Sequence, residues 1–543
     1  MKIKLIEFFS NDSSVSKTTI VFLTVLSGLF AGLLIFVINN TAVIVYRNVS
    51  GEFPYVFLFI IVASILYLTK KEAFKRSIIM TEELIRKLRI RLIKKIRRTD
   101  LLFLEKNNDA EIYIRLTQDI NTLSQSIPVL IITMDSFFTI IGVLIYCAIL
   151  SIEYFICLLI FVCLSLLIFY SKYIETRNKF ARAGETENDF FETIEGLLSG
   201  FKQIKVNYKR DDHLYEDMGT LANNSDTLNA EGIINIFQVS ILTDALYFGM
   251  IGFFIFAIPQ IIDIDAMMIP KLITALLFIY SPLSVIYKFA PHVVMSNIAI
   301  EKIEILEKKL DEIKIKTTQP SYTPVDFRSI ELSSVSFNYI DQDNQSSFSI
   351  GPIDLTINKG ETVFIAGGNG SGKSTLLKVF TGLYPACSGK IIFDGKVLSE
   401  DALPNFRELF SIIFTDYHLF KKLYGIETID ENHLNQLLDV MALDHKTAFI
   451  EQKFSNLDLS TGQKKRLAYI VALLEDRPVY VFDEWAADQD PEFRKYFYTT
   501  ILKDLKKLGK TVIAVTHDDR YFDYADRLIE MDDGNIKTGI PKL

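Results

Sequence analysis

Two adjacent carboxylates, Asp483 and Glu484, end the apolar run Val479-Tyr-Val-Phe482. The run reads as a buried strand that carries both acids to its exposed tip. There one carboxylate can hold a Mg²⁺ through water while its neighbour orients a water for in-line attack on a phosphate. An Asp-Glu pair after a strand also commonly starts a helix, so other segments must decide between the two. Upstream, Gly367-Gly-Asn-Gly-Ser-Gly-Lys-Ser374 is a complete G-x-x-x-x-G-K-[ST] phosphate loop. It follows the apolar stretch Glu361–Ala366, a predicted strand, and precedes Thr375–Phe380, a predicted helix start. That strand–loop–helix order is what the motif requires, and it excludes a mere Gly/Ser-rich turn. Gly367, Asn369, Gly370, Ser371, Gly372 and Thr375 would turn backbone N–H groups inward on an anion, helped by the helix N-terminus. Lys373 would reach the β/γ-phosphates, and the Ser374 hydroxyl would ligate Mg²⁺.

A third segment, Leu459-Ser-Thr-Gly-Gln463, lies between these two. A phosphate loop, then L-S-x-G-Q, then a strand ending in Asp-Glu resembles the nucleotide-binding domain of ATP-binding cassette (ABC) proteins, over residues 328–543. The resemblance implies ATP and Mg²⁺ as ligands, Glu484 as catalytic base and His517 as the switch histidine on the γ-phosphate. It further implies Tyr339 as the aromatic stacked on adenine and Asp483 as a metal-side carboxylate. Ser460, Gly462 and Gln463 would face the γ-phosphate bound by an opposite subunit, and Asp490 would link the two sites of a dimer. Each has a plainer rival: Tyr339 as a strand aromatic, His517 as a satisfied strand-end histidine, Ser460 as an ordinary helix N-cap. The chain departs from the family pattern at Thr461, usually glycine, and at Thr415, where exporters of this kind place a glutamine. Thr415 or its neighbour Asp416 would stand on the metal side in that glutamine's place.

The elements that must carry this site are only part of the chain. Of 543 residues half are hydrophobic and mean hydropathy is +0.25, and apolar runs crowd the first 290 residues. Six stretches can cross about 30 Å of hydrocarbon: Thr19–Asn39, Phe53–Thr69, Ile127–Leu150, Tyr154–Lys172, Ile236–Ile262 and Met268–Tyr287. The first is read as a span and not a cleaved signal peptide. Only Ser151-Ile-Glu153 separates the third and fourth, which predicts a tight hairpin. Residues 70–98 carry twelve Lys and Arg and segment 173–235 is also charged, whereas the loop at 40–52 has only Arg47. Positive-inside asymmetry thus puts both long loops, and both termini, in the cytoplasm. A net charge of −8 with pI near 5.5 argues against a nucleic-acid partner. Cysteines 147, 157, 163 and 387 are spaced for neither a metal site nor a disulfide framework.

The expected fold is therefore a six-span α-helical membrane domain (residues 1–309), a linker (310–327) and an α/β P-loop domain (328–543). This order resembles an ABC exporter half-transporter in a bacterial inner (plasma) membrane, with the nucleotide-binding domain cytoplasmic and a second copy completing a homodimer. That architecture implies coupling helices, with candidates around Thr99–Leu104 and Lys209–His213. Within the family, Asp-Glu-Trp-Ala-Ala-Asp-Gln-Asp-Pro491 and Phe414-Thr-Asp416 resemble one bacterial branch. That branch exports cyclic peptides, peptide siderophores, lipopeptides such as syringomycin, and microcins. A peptide-derived cargo is implied by the resemblance alone; a lipid or lipopeptide flippase, or an ATPase regulating a membrane partner, are the alternatives. Asp135 and Asp244 lie inside apolar spans, with Asn235, Gln238 and Lys288 near span ends. They would line a wet cavity or make helix–helix polar contacts. Pro282 and Pro291 are candidate kinks in the last helix.

Overall fold

The computed structural model describes residues 5, 8, 17–46, 53–106, 109–261, 268–312, 327–340, 346–426 and 428–537. Nearly all of the expected linker, and Arg47, lie outside these residues. The chain divides into two compact units, Met1–Arg97 with Asn107–Glu312, and Arg98–Lys106 with Ile313–Leu543.

The described residues of the first unit form helices and the turns between them. Its helices are α1 (Lys17–Tyr46) and α2 (Phe53–Ile96), then, past α3 (Leu101–Lys106) of the second unit, α4 (Ile120–Leu150) and α5 (Ile152–Ser199). There follow α6 (Phe201–Val206), α7 (Tyr208–Gly252), α8 (Met268–Lys288) and α9 (Ala290–Glu312). The apolar runs do not end where hydrocarbon would. In α2 the apolar stretch continues without Gly or Pro into a charged one laced with i,i+4 pairs, Glu72–Arg76 at 2.7 Å and Glu83–Lys87 at 2.9 Å. Its 44 residues reach about 66 Å, twice a bilayer's hydrocarbon. Ser151, extended at φ −162° and ψ 135°, breaks α4 from α5 and makes the predicted hairpin. Among the described residues, five helical stretches are long and apolar enough to cross a membrane: Lys17–Val45, Glu111–Leu150, Ile152–Ser199, Tyr208–Ala257 and Met268–Glu312. The expected span Phe53–Thr69 is not one of the five; it forms the first part of α2, with Phe57, Ile60 and Ile61 exposed.

Small residues let two of these helices touch backbone to backbone. A Cβ on Gly28 would meet the Phe138 carbonyl oxygen at 2.3 Å, and one on Gly142 would meet that of Gly28 at 2.1 Å. Gly28 and Gly32 are spaced as a G-x-x-x-G pair, the usual device for close helix approach in lipid. Asp135 of α4 pairs with Lys70 of α2 at 3.0 Å, so its contact is the helix–helix one. Asp244 stands beside Tyr280 of α8. Asn235 donates to the Glu175 carboxylate at 3.2 Å. Pro282 is accommodated inside α8, and the helix breaks at Phe289, ahead of Pro291 in the first turn of α9.

The second unit holds twelve strands among its described residues: β1 (Ser329–Ile340), β2 (Ser346–Asn358), β3 (Thr362–Gly367), β4 (Ser388–Phe393), β5 (Lys396–Val397), β6 (Phe410–Ile413), β7 (Phe449–Ile450), β8 (Lys453–Phe454), β9 (Val479–Asp483), β10 (Thr511–Val515), β11 (Arg527–Asp532) and β12 (Asn535–Lys537). One sheet has the order β2-β1-β4-β5, and the larger has β12-β11-β3-β10-β9-β6. In β1 the buried residues alternate as Ile330 and Leu332, slip by one where Ser334 bulges at φ +48°, and resume as Val335 and Phe337. β3, β9 and β10 pair in parallel at the centre and are buried on both faces, which is why they read as unbroken apolar runs. Hydrophobic clusters fill both faces: one around Phe364, Phe482, Trp485 and Tyr498, the other around Phe337, Ile365, Val481 and Val515.

Candidate functional site

The phosphate loop joins β3 to the helix Lys373–Phe380. Two of its glycines are obligatory. Gly367 has φ +151°, and a Cβ there would meet the Met531 carbonyl oxygen at 2.3 Å. Gly372 caps the helix at φ +97°, where a Cβ would strike Ile350 at 2.7 Å. Lys373 is buried, and its ammonium donates back to the loop carbonyls of Gly367 at 3.1 Å and Gly368 at 2.8 Å. Burial pushes its pKa down, while Glu484 and Asp483 push it up. A desolvated cation at a helix N-terminus is a ready partner for phosphate oxygens.

The strand β9 ends beside this loop. Asp483 is 2% exposed, and burial pushes its carboxyl above the usual carboxylate range. The hydroxyls of Ser374 and Thr415 and the Lys465 charge pull it down, while Glu484 pushes it up further. Its Oδ1 is buried without a hydrogen-bond partner. Such an atom asks for a ligand, since an unmet buried acceptor is costly. The next residue, Glu484, turns sharply into left-handed backbone at φ 50° and ψ 38°. Its carboxylate lies 3.0 Å from His517 Nε2, at the end of the neighbouring strand β10. The two predicted catalytic residues are therefore hydrogen-bonded partners, and both are partly exposed.

The Asp483 environment predicts a trade between stability and function. The folded carboxyl binds its proton more tightly than the unfolded one, so the unfolded state releases protons first and stability falls as pH rises through that window. D483N should raise the melting temperature of the nucleotide-free protein at neutral pH, and this gain should shrink in acid, where Asp483 is already neutral. Thermal unfolding at several pH values measures it, and a lower midpoint at neutral pH would count against this reading of the site.

Tyr339 lies at the end of β1 against the first turn of the loop helix. Its hydroxyl is 3.3 Å from Thr375 Oγ1 and donates to Tyr384 at 3.4 Å. The ring packs edge-on to Phe337 at 5.1 Å, as a strand aromatic does. Tyr384, which the sequence did not single out, also bonds the Glu105 carboxylate of α3. Glu105 in turn accepts from Lys378 at 2.7 Å, and Leu101 and Leu102 pack on the same core. The first coupling-helix candidate thus forms a helix of the second unit. The second does not form where it was expected. Lys209–His213 lies in the first turn of α7, and the short helix is α6, set off by Gly200 and Asn207.

The signature segment folds as a helix N-terminus. Ser460 caps Thr461–Glu475 in a capping box: its hydroxyl accepts from the Gln463 N–H, and the Gln463 side chain accepts from the Ser460 N–H at 3.0 Å. The ordinary N-cap is therefore present, and Thr461 sits in the exposed first turn. Gly462 is needed for close approach, because a Cβ would meet the Asp488 carbonyl oxygen at 2.6 Å. Asp490 caps the helix Pro491–Tyr496, accepting from the Glu492 and Phe493 N–H groups at 3.1 and 2.9 Å. Thr415 donates to the Asp483 carbonyl at 3.4 Å, whereas Asp416 is exposed beside it. Trp485, the most unusual residue of the segment, is a core residue stacked on Phe497 at 4.7 Å.

Comparison with known proteins extends this geometry to the whole chain. Residues 350–487 match the family described as ABC transporter, and residues 4–281 match the ABC transporter transmembrane region. The ATP-binding protein SyrD of Pseudomonas syringae pv. syringae is 31% identical over 96% of this chain and 94% of its own length. The ATP-dependent lipid A-core flippase of Vibrio parahaemolyticus is 30% identical over 220 residues, which is 38% of this chain and 37% of that protein. In fold, a bacterial Atm1-family ABC exporter solved with ATP bound is similar at a TM-score of 0.78, with 15% identity over 97% of this chain and 96% of that one. The chain belongs to the ABC transporter family, as a multi-pass exporter-type membrane domain fused to an ATP-hydrolysing nucleotide-binding domain.

Proposed function

We propose that this chain is one half of a homodimeric exporter in a bacterial inner membrane, with its nucleotide-binding domain cytoplasmic. It would use ATP to drive out a peptide-derived molecule: a cyclic peptide, peptide siderophore, lipopeptide or microcin. The observation that carries the reading is Glu484 held 3.0 Å from His517 at the end of β9, next to the phosphate loop. In this reading Lys373 and the loop N–H groups hold the β/γ-phosphates, Thr375 and Tyr339 lie on the base side, and His517 faces the γ-phosphate. Glu484 accepts the proton of the attacking water.

The residues fit a magnesium ion. Asp483 offers a buried carboxylate oxygen with no hydrogen-bond partner, and the Ser374 hydroxyl stands by it. Oxygen donors of this kind suit a hard cation that keeps several waters. When bound, Mg²⁺ would neutralise charge on the phosphates. Thr415 would steady Asp483 through its carbonyl, and Asp416 would act only from the exposed side.

Two features support a second copy. The chain carries one phosphate loop and one signature, and Ser460, Gly462 and Gln463 form a helix start suited to a phosphate held by another subunit. The α6 region also presents apolar side chains outward, Val206 at 89% and Tyr208 at 77% exposure, as a docking helix would. For cargo, support comes from the Trp485–Pro491 segment and from the extent of likeness: it runs the length of the chain for SyrD but over 220 residues for the flippase.

Complementation tests the composite site. K373A and S460R subunits should each be inactive alone. Mixed, each pair regains one intact site, with Lys373 from one subunit and Ser460 from the other, and ATP hydrolysis should return. Two dead variants that stay dead in verified mixed dimers would refute sites shared across the dimer.

A further inference from the structure

One buried cation, Lys465, does more than lower the pKa of Asp483. Lys465 lies in the signature helix Thr461–Glu475, on its inward face, and is 3% exposed. A lysine is almost never buried so deeply without partners. Its two partners are the carbonyl oxygen of Glu484 and the carboxylate of Asp488, each at 2.7 Å. Side chains of the same turn are tied to the same helix at two further points: the Trp485 indole N–H donates to the Lys465 carbonyl at 2.8 Å, and the Gln489 amide donates to the Gly462 carbonyl at 3.1 Å. The approach is close enough that a Cβ on Gly462 would meet the Asp488 carbonyl oxygen at 2.6 Å.

Glu484 needs such support. It is a non-glycine residue in left-handed backbone, one position past Asp483, the last residue of β9 paired with β10. Residues hold that conformation only where their surroundings over-determine it. From its own side the turn has the Glu484 N–H bonded to the Val515 carbonyl at 3.3 Å and a local bond from the Ala487 N–H to the Glu484 carbonyl, also 3.3 Å. Both are long. The short, charge-assisted bond comes from Lys465.

We infer that Lys465 is a positioning residue for Glu484: its buried ammonium clamps the Glu484 carbonyl and so aims the carboxylate at His517. The clamp starts five residues past Ser460, on one helix with the signature segment. Displacement of that helix end therefore moves the backbone of the catalytic glutamate in the same subunit. The inference rests on the reading of Glu484 as the group that takes the proton.

The test is steady-state ATP hydrolysis by the reconstituted full chain carrying K465M, K465R or E484Q. K465M should lower kcat about ten- to a hundredfold, as small misplacements of a reacting group do, with KM for ATP essentially unchanged. K465R, which keeps the buried charge, should recover part of the loss. Trp485 is the chain's sole tryptophan, so its emission reports this turn directly and should shift in K465M but not in K465R. A merely structural lysine would move kcat and KM together and leave no rescue by arginine. If K465M does not fold, K465A takes its place: lowered kcat at constant KM supports the clamp, and wild-type kcat overturns it. Collapse in E484Q with wild-type turnover in K465M overturns the clamp while sparing Glu484; wild-type turnover in E484Q removes the reading beneath it.

Discussion

Glu484→Gln is expected to leave ATP binding intact while turnover falls by about 10²–10⁴-fold, the usual worth of a positioned general base. The amide keeps the shape of the side chain and its packing, so the left-handed turn and the Lys465 contact should persist. What disappears is the acceptor. A neutral Gln cannot take the proton from water, and it faces His517 with an amide in place of a carboxylate, across the 3.0 Å separation. The variant should therefore trap nucleotide and still show ATP-protected proteolysis. Ordinary hydrolysis by E484Q would remove Glu484 from the mechanism.

Lys373→Ala should act on binding instead. Lys373 is buried, so its loss cannot be made good by bulk cations, and truncating one side of a buried charge contact costs about 3 kcal/mol. That corresponds to roughly a hundredfold in ATP affinity. Lys373 also donates to the Gly367 and Gly368 carbonyls, so some stability should go with it. Nucleotide titration alongside a melting curve separates the two: affinity near wild type in a folded K373A protein would contradict the phosphate-side placement.

Much of the site was legible because its parts are local. The phosphate loop is a contiguous turn whose glycines must be glycines, and the parallel strands β3, β9 and β10 announce themselves as unbroken apolar runs. His517 and Glu484 were each singled out through the family resemblance, and the structure adds that they meet, because each follows one of two parallel neighbouring strands. The parts that were not legible depend on tertiary contact. Nothing in the spacing of Lys465 distinguishes a buried clamp from the solvated lysine beside it, Lys464, beyond its place on the helix face that also carries Tyr469 and Ala472. The Glu105–Tyr384 contact joins segments 279 residues apart, and Tyr384 reaches Tyr339 across another 45. Asp490 and Ser460 matched family positions, and the structure adds that both are helix N-caps, a role local chemistry alone would assign.

In the membrane unit the apolar content was plain but the breaks were not. Composition marks where a helix can cross, yet α2, α5 and α7 run on well past hydrocarbon because their charged continuations are equally good helix formers. The short helix α6 escaped notice because its boundaries are a single glycine and a single asparagine cap, Gly200 and Asn207. Trp485 carries a similar lesson. It belongs to the segment on which the branch resemblance rests, yet the residue is packed in the core against Phe497, in the turn that follows β9.

ATP hydrolysis by the full chain in proteoliposomes most directly tests whether a peptide-derived cargo drives the ATPase. Turnover would be followed while a cyclic lipopeptide, a linear peptide or a fluorescent phospholipid is titrated, with E484Q as the control. Saturable stimulation by the cyclic lipopeptide, absent in E484Q and not reproduced by the phospholipid, is the predicted result. Stimulation by the phospholipid alone would contradict it and make the protein a lipid flippase.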